Sequence, residues 1–446
     1  MSTTFEIGSR QRSRNGTTPY EDAPLCRLHL KAAAGAMGGQ FTDGYIIGII
    51  GTVLTLAGPA LDLDPMWTGL IAAGSLAGIL FGSLGAGRIV DRIGRKSIYN
   101  LTILVFAVAA ILQYFVQSPA QLLALRLILG VAIGADYSVS ISLVSELSPQ
   151  RHRGRMMSTI MVAWVAGFVT SYVAGIYIER WGPDAWRWAL ASSVIPALIT
   201  AAIRIGTPES PLWLLTKGRN SEAAAIVSKH IGPHIALPLS VESPETSSWL
   251  QLFGKAWRKN TFVGAMYFFC QVIPFFALGT FIPKVLASIK LEDPSAGGVI
   301  YNVFLLVGVL LGLWIVERIR RRTFLIGSFY VCAATLLVLT LWTGMPAYLI
   351  VVFFSVFALV MSASTVLDYV YLPELFPTEL RASGIGLAVA VSRIGGAGAT
   401  FLLPIIMGEY GVQTTLACCV GALLLGGAIC HLFAPEPRNT LTRTSH

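Results

Sequence analysis

Charge is scarce in this chain. Only 12% of its 446 residues are Asp, Glu, Lys or Arg, while 54% are hydrophobic. Ordinary soluble proteins carry about 25% charge, so a water-soluble globular fold is excluded. No Gly-x-x-x-x-Gly-Lys-Ser/Thr run occurs, which removes ATP as the direct energy source. The first thirty residues are polar and basic, with no apolar core before a small-residue cleavage site. They are expected to form a disordered cytoplasmic arm rather than a secretory signal. Six cysteines lie mostly inside apolar runs and lack paired metal spacing; they read as small apolar residues, with no disulfide, metal or cofactor expected. The six histidines form no ligand cluster and no covalent-catalysis constellation is visible, so the chain is not read as an enzyme.

What the chain has is long apolar runs, near the ~20 residues a helix needs to cross hydrocarbon. Twelve are expected, at roughly 31–56, 66–87, 98–117, 120–145, 155–178, 185–205, 261–287, 297–317, 323–343, 346–374, 381–406 and 413–433. A net charge of +9 would point to nucleic acid in a soluble chain, but here the basic residues alternate from side to side. They crowd the N-terminal arm (Arg10, Arg12, Arg14), the turn after the second run, Arg151–Arg155, the central linker and Arg318–Arg322. The opposite loops hold few, such as Arg180, Arg187 and Lys284. That bias puts both termini in the cytoplasm and excludes a nucleic-acid partner in favour of a lipid bilayer. Trp67, Trp181, Trp186 and Trp188 stand at run ends and read as interfacial belt residues. Compact loops point to a bacterial inner membrane.

The stretch Gly87-Arg-Ile-Val-Asp91-Arg-Ile-Gly94-Arg95-Lys96 resembles the loop between the second and third helices of the major facilitator superfamily of secondary transporters. A degenerate copy, Glu317-Arg-Ile-Arg-Arg321-Arg322, recurs in the second half of the chain. Glu146-Leu-Ser-Pro149 followed by Arg153 likewise recurs as Glu374-Leu-Phe-Pro377 followed by Arg381. Such duplication is the transporter pattern, with the binding site between the repeats. The expected fold is an all-α integral membrane protein, twelve helices in two pseudo-symmetric six-helix bundles. Its divisions are an arm (1–30), a first bundle (31–205), a cytoplasmic linker (206–260), a second bundle (261–434) and a tail (435–446). Carboxylates facing guanidinium groups at helix ends form charge-assisted hydrogen bonds. Two gating latches are expected, one of Asp91, Arg95, Glu146 and Arg153, the other of Glu317, Arg321, Glu374 and Arg381.

Pro208-Glu-Ser-Pro-Leu212-Trp-Leu and Pro373-Glu-Leu-Phe-Pro-Thr-Glu-Leu-Arg-Ala-Ser-Gly384 are similar to signatures of the sugar porter branch, which also holds aromatic-acid, nicotinate and organic-ion carriers. Leu212 replaces the branch's Arg. The resemblance implies where a hexose carrier would place its amides: Met161 stands for a Gln, Gln271 is retained, Phe276 stands for an Asn, and Thr280-Phe281 replaces a Tyr pair. Tyr369 matches a tenth-span Trp. A hexose needs several such amides, because each unpaired buried polar group costs about 1–3 kcal/mol.

Ionisable groups within spans are functional-site candidates. Asp43 resembles the acid of proton-coupled carriers, and Arg126 matches the Arg that such an acid faces. Asp136 reads as a second relay or a partner of Arg126. Arg393, in Val-Ser-Arg-Ile-Gly-Gly, presents a fork suited to a carboxylate, and similar elements in organic-anion carriers resemble a substrate anchor. Asp368 is its internal competitor. Trp164, Phe268, Phe269, Phe275, Phe276, Tyr369 and Tyr371 form a candidate aromatic lining. The expected function is proton-coupled uptake of a small, planar organic acid by a monomer, with Arg393 and Gln271 on the solute and Asp43 on the proton. A sugar or polyol symporter, a proton-driven exporter and a non-transporting receptor remain alternatives.

Overall fold

The computed structural model describes residues 18–238, 249–289 and 293–436, without the side chains of residues 86–88, 91, 155, 249, 378, 379 and 382. The first half of the chain forms α1 (Arg27–Ala60), α2 (Pro65–Ile93), α3 (Arg95–Tyr114), α4 (Pro119–Leu147), α5 (Gln150–Glu179), α6 (Ala185–Ala191) and α7 (Val194–Arg204). Two short helices follow, α8 (Pro211–Thr216) and α9 (Asn220–His230). The second half forms α10 (Arg258–Ser288), α11 (Pro294–Ile315), α12 (Arg321–Leu341), α13 (Ala347–Ser364), α14 (Leu367–Glu374) and α15 (Thr378–Phe433).

Eleven helical stretches among the described residues are long and apolar enough to span a membrane, with α6 and α7 together making one. Helix α15 breaks at Gly411, where φ is +83°, and so supplies two spans. The count is therefore the twelve expected from hydropathy. Helix starts are written in the sequence: Asp64, Ser118 and Asp293 each accept a backbone N–H three residues on, and each is followed by a proline whose missing donor costs nothing there.

Glycine lets the spans approach closely, as expected where lipid offers no hydrophobic drive for association. A Cβ at Gly78 would strike the backbone of α4, and one at Gly308 would strike the backbone of α13 at Leu359. Pairs α2–α4 and α11–α13 are thus built alike, one in each half. The outward faces stay apolar: Leu101, Leu104, Val108, Ile111 and Leu112 of α3 are all exposed, a stripe at helical spacing that suits lipid contact. Trp181 and Trp188 are exposed as an interfacial belt requires. Trp186 is not: it is buried, with the Arg187 guanidinium 4.4 Å above its ring.

The N-terminal arm departs from expectation within its described part. Thr18–Pro19 pairs in parallel with Ile235–Ala236 of the linker. Tyr20 is buried against Ala23, Val227 and Ile235, with Leu212 packed on the same cluster. Leu212 therefore uses the position of the missing arginine to bury the arm instead.

Candidate functional site

At mid-depth, between the two halves, lies a cavity lined from both sides. Helix α1 contributes Gln40 and Asp43, and α5 contributes Met161 and Trp164. Helix α10 contributes Gln271 and Phe276, α14 contributes Asp368 and Tyr369, and α15 contributes Arg393. Local sequence explains these placements. Gly44 lets α1 settle directly on the Trp164 carbonyl of α5, which brings Asp43 and Trp164 to one wall. Pro274 interrupts the hydrogen-bond ladder of α10 beside Phe275 and Phe276. The tenth span breaks between Ser364 and Leu367, turning Asp368 and Tyr369 into the cavity.

Fewer of the candidate aromatic residues face the cavity than the sequence offered. Trp164 stacks on Phe168 at 5.7 Å, meets Phe275 at 6.0 Å and stands edge-on to Phe276 at 6.1 Å. Because Trp164 and Phe168 belong to α5 and the others to α10, the cluster joins the halves. Phe268 also lines the cavity. Phe269 instead packs beside Gly395, and Tyr371 donates to the Pro435 carbonyl at 2.8 Å; neither reaches the cavity wall. Thr280 also lies off that wall, its carbonyl against Gly51 of α1.

The polar groups divide into satisfied and unsatisfied sets. Asp43 accepts a hydrogen bond from Gln40 Nε2 at 2.9 Å, while its Oδ1 has no partner. Arg126 does not pair with it. Its Nη1 donates to the Ile46 carbonyl at 2.7 Å, and no ion pair joins the two residues among those described. A backbone oxygen one turn along α1 has taken the guanidinium. Gln271 Nε2 donates to Ser364 Oγ at 2.9 Å, leaving its Oε1 free. Tyr137 donates to the Tyr369 hydroxyl at 2.8 Å, a contact between the halves. Arg393 and Asp368 form no ion pair among the described residues. Arg393 Nε and Asp368 Oδ1 are each buried without a partner, and the guanidinium lies 5.7 Å from the Phe276 ring centre.

Asp136 belongs elsewhere. It is fully buried in a two-pronged pair with Arg204, at 2.7 and 2.9 Å, and accepts from Thr102 and Ser140 as well. Arg204 also donates to the carbonyls of Gly35 and Tyr99 and lies 3.6 Å over the Tyr99 ring. Sequence reading missed Arg204 because an arginine ending a span resembles an orientation charge. The available signal was Tyr99, Thr102 and Ser140, hydroxyl groups at one-turn spacing in neighbouring spans.

Of the two latches, the structure forms a reduced version of each. Arg95 donates to Glu146 through Nε and Nη2 at 3.2 and 3.1 Å, and the Ser210 hydroxyl donates to the same carboxylate. Arg153 instead reaches the Ser148 carbonyl, and the side chain of Asp91 lies outside the described residues. Glu209 takes a role that the sequence reading did not assign: its carboxylate accepts the backbone N–H groups of Arg95 and Lys96 at 3.0 and 3.1 Å, where a helix N-terminus favours negative charge. In the second half Arg321 pairs with Glu374. Arg381 donates to the Pro373 carbonyl, and Glu317 is exposed and in no ion pair among the described residues. Arg95–Glu146 and Arg321–Glu374 occupy matching places, each joining helix ends within one half.

Comparison with known proteins agrees with this architecture. A family model described as "Sugar (and other) transporter" matches residues 31–442. The inner membrane metabolite transport protein YgcS of Escherichia coli is 39% identical over 418 residues, covering 94% of each chain. More distant relatives are the arabinose-proton symporter of Bacillus subtilis, 26% identical over 96% of this chain and 97% of its own, and the niacin transporter NiaP of Acinetobacter baylyi, 27% identical over 87% and 89%. Among solved structures, the partially occluded inward-open xylose transporter XylE of E. coli superposes with a TM-score of 0.78 at 20% identity, covering 92% of this chain and 98% of its own. The chain therefore belongs to the sugar (and other) transporter family of the major facilitator superfamily, and is an integral membrane transporter rather than an enzyme.

Proposed function

We propose that the protein is a monomeric, proton-coupled symporter that takes up a small planar organic acid by alternating access, with both termini in the cytoplasm of a bacterium. The observation that carries the substrate class is Arg393, a guanidinium with no carboxylate partner among the described residues, at the wall of a cavity faced by Trp164, Phe275 and Phe276. Its fork suits a carboxylate, and the rings suit a flat solute held between the halves. Asp43 is the proton carrier in this reading: its free oxygen borders the same cavity, and a proton there removes a charge that closure would otherwise enclose. The name of the arabinose-proton symporter supports coupling, and that of the niacin transporter supports a planar acid.

Sugar transport is the second reading. It is favoured by Gln271 in the cavity wall with a free amide oxygen, but Met161 and Phe276 leave few amides for hydroxyl groups. The test is stabilisation of purified protein by aromatic carboxylates and by pentoses and hexoses, alongside Arg393→Ala. Carboxylates should stabilise the wild type and fail with Arg393→Ala. Stabilisation by a sugar alone, unchanged in the variant, overturns the organic-acid reading.

A further inference from the structure

The central cavity carries more charge than one acid and one proton use. Asp43 and Asp368 supply two carboxyl groups and Arg393 one guanidinium. Once Asp43 takes a proton, Asp368 and Arg393 remain as opposite charges that no ion pair joins. Each has a buried atom without a partner. The Tyr267 hydroxyl lies against the Asp368 carboxyl and interacts with it, but it brings no positive charge. Asp368 therefore has a hydroxyl neighbour but no ion pair among the described residues.

We propose that Asp368 is a second solute anchor, and that the transported acid is amphoteric: a planar carboxylate that also bears an ammonium or protonated ring nitrogen. This rests on the reading of Arg393 as the carboxylate anchor. A plain monoanion would satisfy Arg393 and leave Asp368 an uncompensated buried charge, the expensive arrangement. A solute with both groups satisfies both residues and enters without net charge. The aromatic wall favours the same class, because ring faces attract cations as well as flat solutes.

The experiment compares benzoate, 3-(aminomethyl)benzoate and benzylamine by calorimetric binding to the detergent-purified wild type, Asp368→Asn and Arg393→Ala. The zwitterion should bind the wild type roughly tenfold or more tighter than benzoate, the worth of one charge-assisted hydrogen bond. Asp368→Asn should erase that preference while still binding benzoate, which also reports that the variant is folded. Arg393→Ala should weaken both acids. Equal binding of benzoate and the zwitterion by wild type and Asp368→Asn overturns the second anchor and leaves the organic-acid reading standing. Binding of benzylamine alone, lost in Asp368→Asn, overturns the organic-acid reading while keeping Asp368 as an anchor for cations. Failure of all three ligands to bind the wild type overturns both.

Discussion

Two acids that look alike in sequence, Asp43 and Asp136, meet opposite fates in the folded chain. Asp43 keeps one free oxygen beside the cavity, while Asp136 is consumed by Arg204, Thr102 and Ser140. Different mutant behaviour follows. Asp43→Asn should abolish accumulation of solute against its gradient but spare solute exchange, as read in proteoliposomes with and without a pH gradient. Loss of exchange in folded protein would instead assign Asp43 to binding. Asp136→Ala leaves Arg204 buried without its carboxylate, which costs about 3–5 kcal/mol when one partner of a buried pair is removed. Its signature should be a lowered unfolding temperature in detergent; an unchanged melting curve would refute that structural role. Arg204 and Asp136 also show why span charges resist sequence reading: pairing is decided between helices that lie far apart in the chain.

At the scale of elements, helix ends carry the conformational chemistry. Glu209 caps the start of α3, Ser210 donates to Glu146, and Tyr20 donates to the Glu146 carbonyl at 3.2 Å. Arm, linker and latch therefore meet at one place. Burial, reinforced by the nearby Glu146 carboxylate, pushes the Tyr20 phenol above its ordinary range. The folded state thus holds the proton more tightly than the unfolded arm. Docking should be fully present below about pH 10 and be lost as pH rises through the folded value. Limited proteolysis within the arm should accelerate in alkali for the wild type, whereas Tyr20→Phe, which has no proton to lose, should show no such rise. Equal alkaline acceleration in both would assign the change elsewhere. The element pattern itself was readable, since caps, prolines and hydropathy are local. The docking of Thr18–Ala23 was not, because it depends on Ile235 and Val227, more than two hundred residues away.

For the whole molecule, three close approaches join the halves on the side of the cavity away from the chain termini. There Gly51 of α1 faces the Thr280 carbonyl of α10, Gly69 of α2 faces the Phe401 carbonyl, and Gly298 of α11 faces Tyr172. On the terminal side of the cavity the halves meet through Tyr137 and Tyr369. A methyl group at Gly51 would collide with backbone, which cannot swing aside. Gly51→Ala should therefore disfavour closure at that end and open a path from the vestibule where Thr55 lies to Ile47, a buried residue of the cavity wall. In a cysteine-free background carrying Ile47→Cys, alkylation should be faster with Gly51→Ala than without it; equal rates would show that this contact does not hold the end closed.

The sequence by itself determined the membrane fold, the twelve spans, the duplication and the family, because hydropathy, helix caps and short motifs act over one or two turns. It also named residues that the fold brings to the cavity, among them Asp43, Trp164, Phe268, Gln271, Phe275, Phe276, Asp368, Tyr369 and Arg393. Tertiary structure alone decided which charges pair. Arg126 bonds to a carbonyl, Asp136 to Arg204, and Asp368 and Arg393 to no carboxylate or guanidinium among the described residues. Such choices turn on separations of a few ångströms between helices, and burial makes an unmet charge so costly that those few ångströms decide its role.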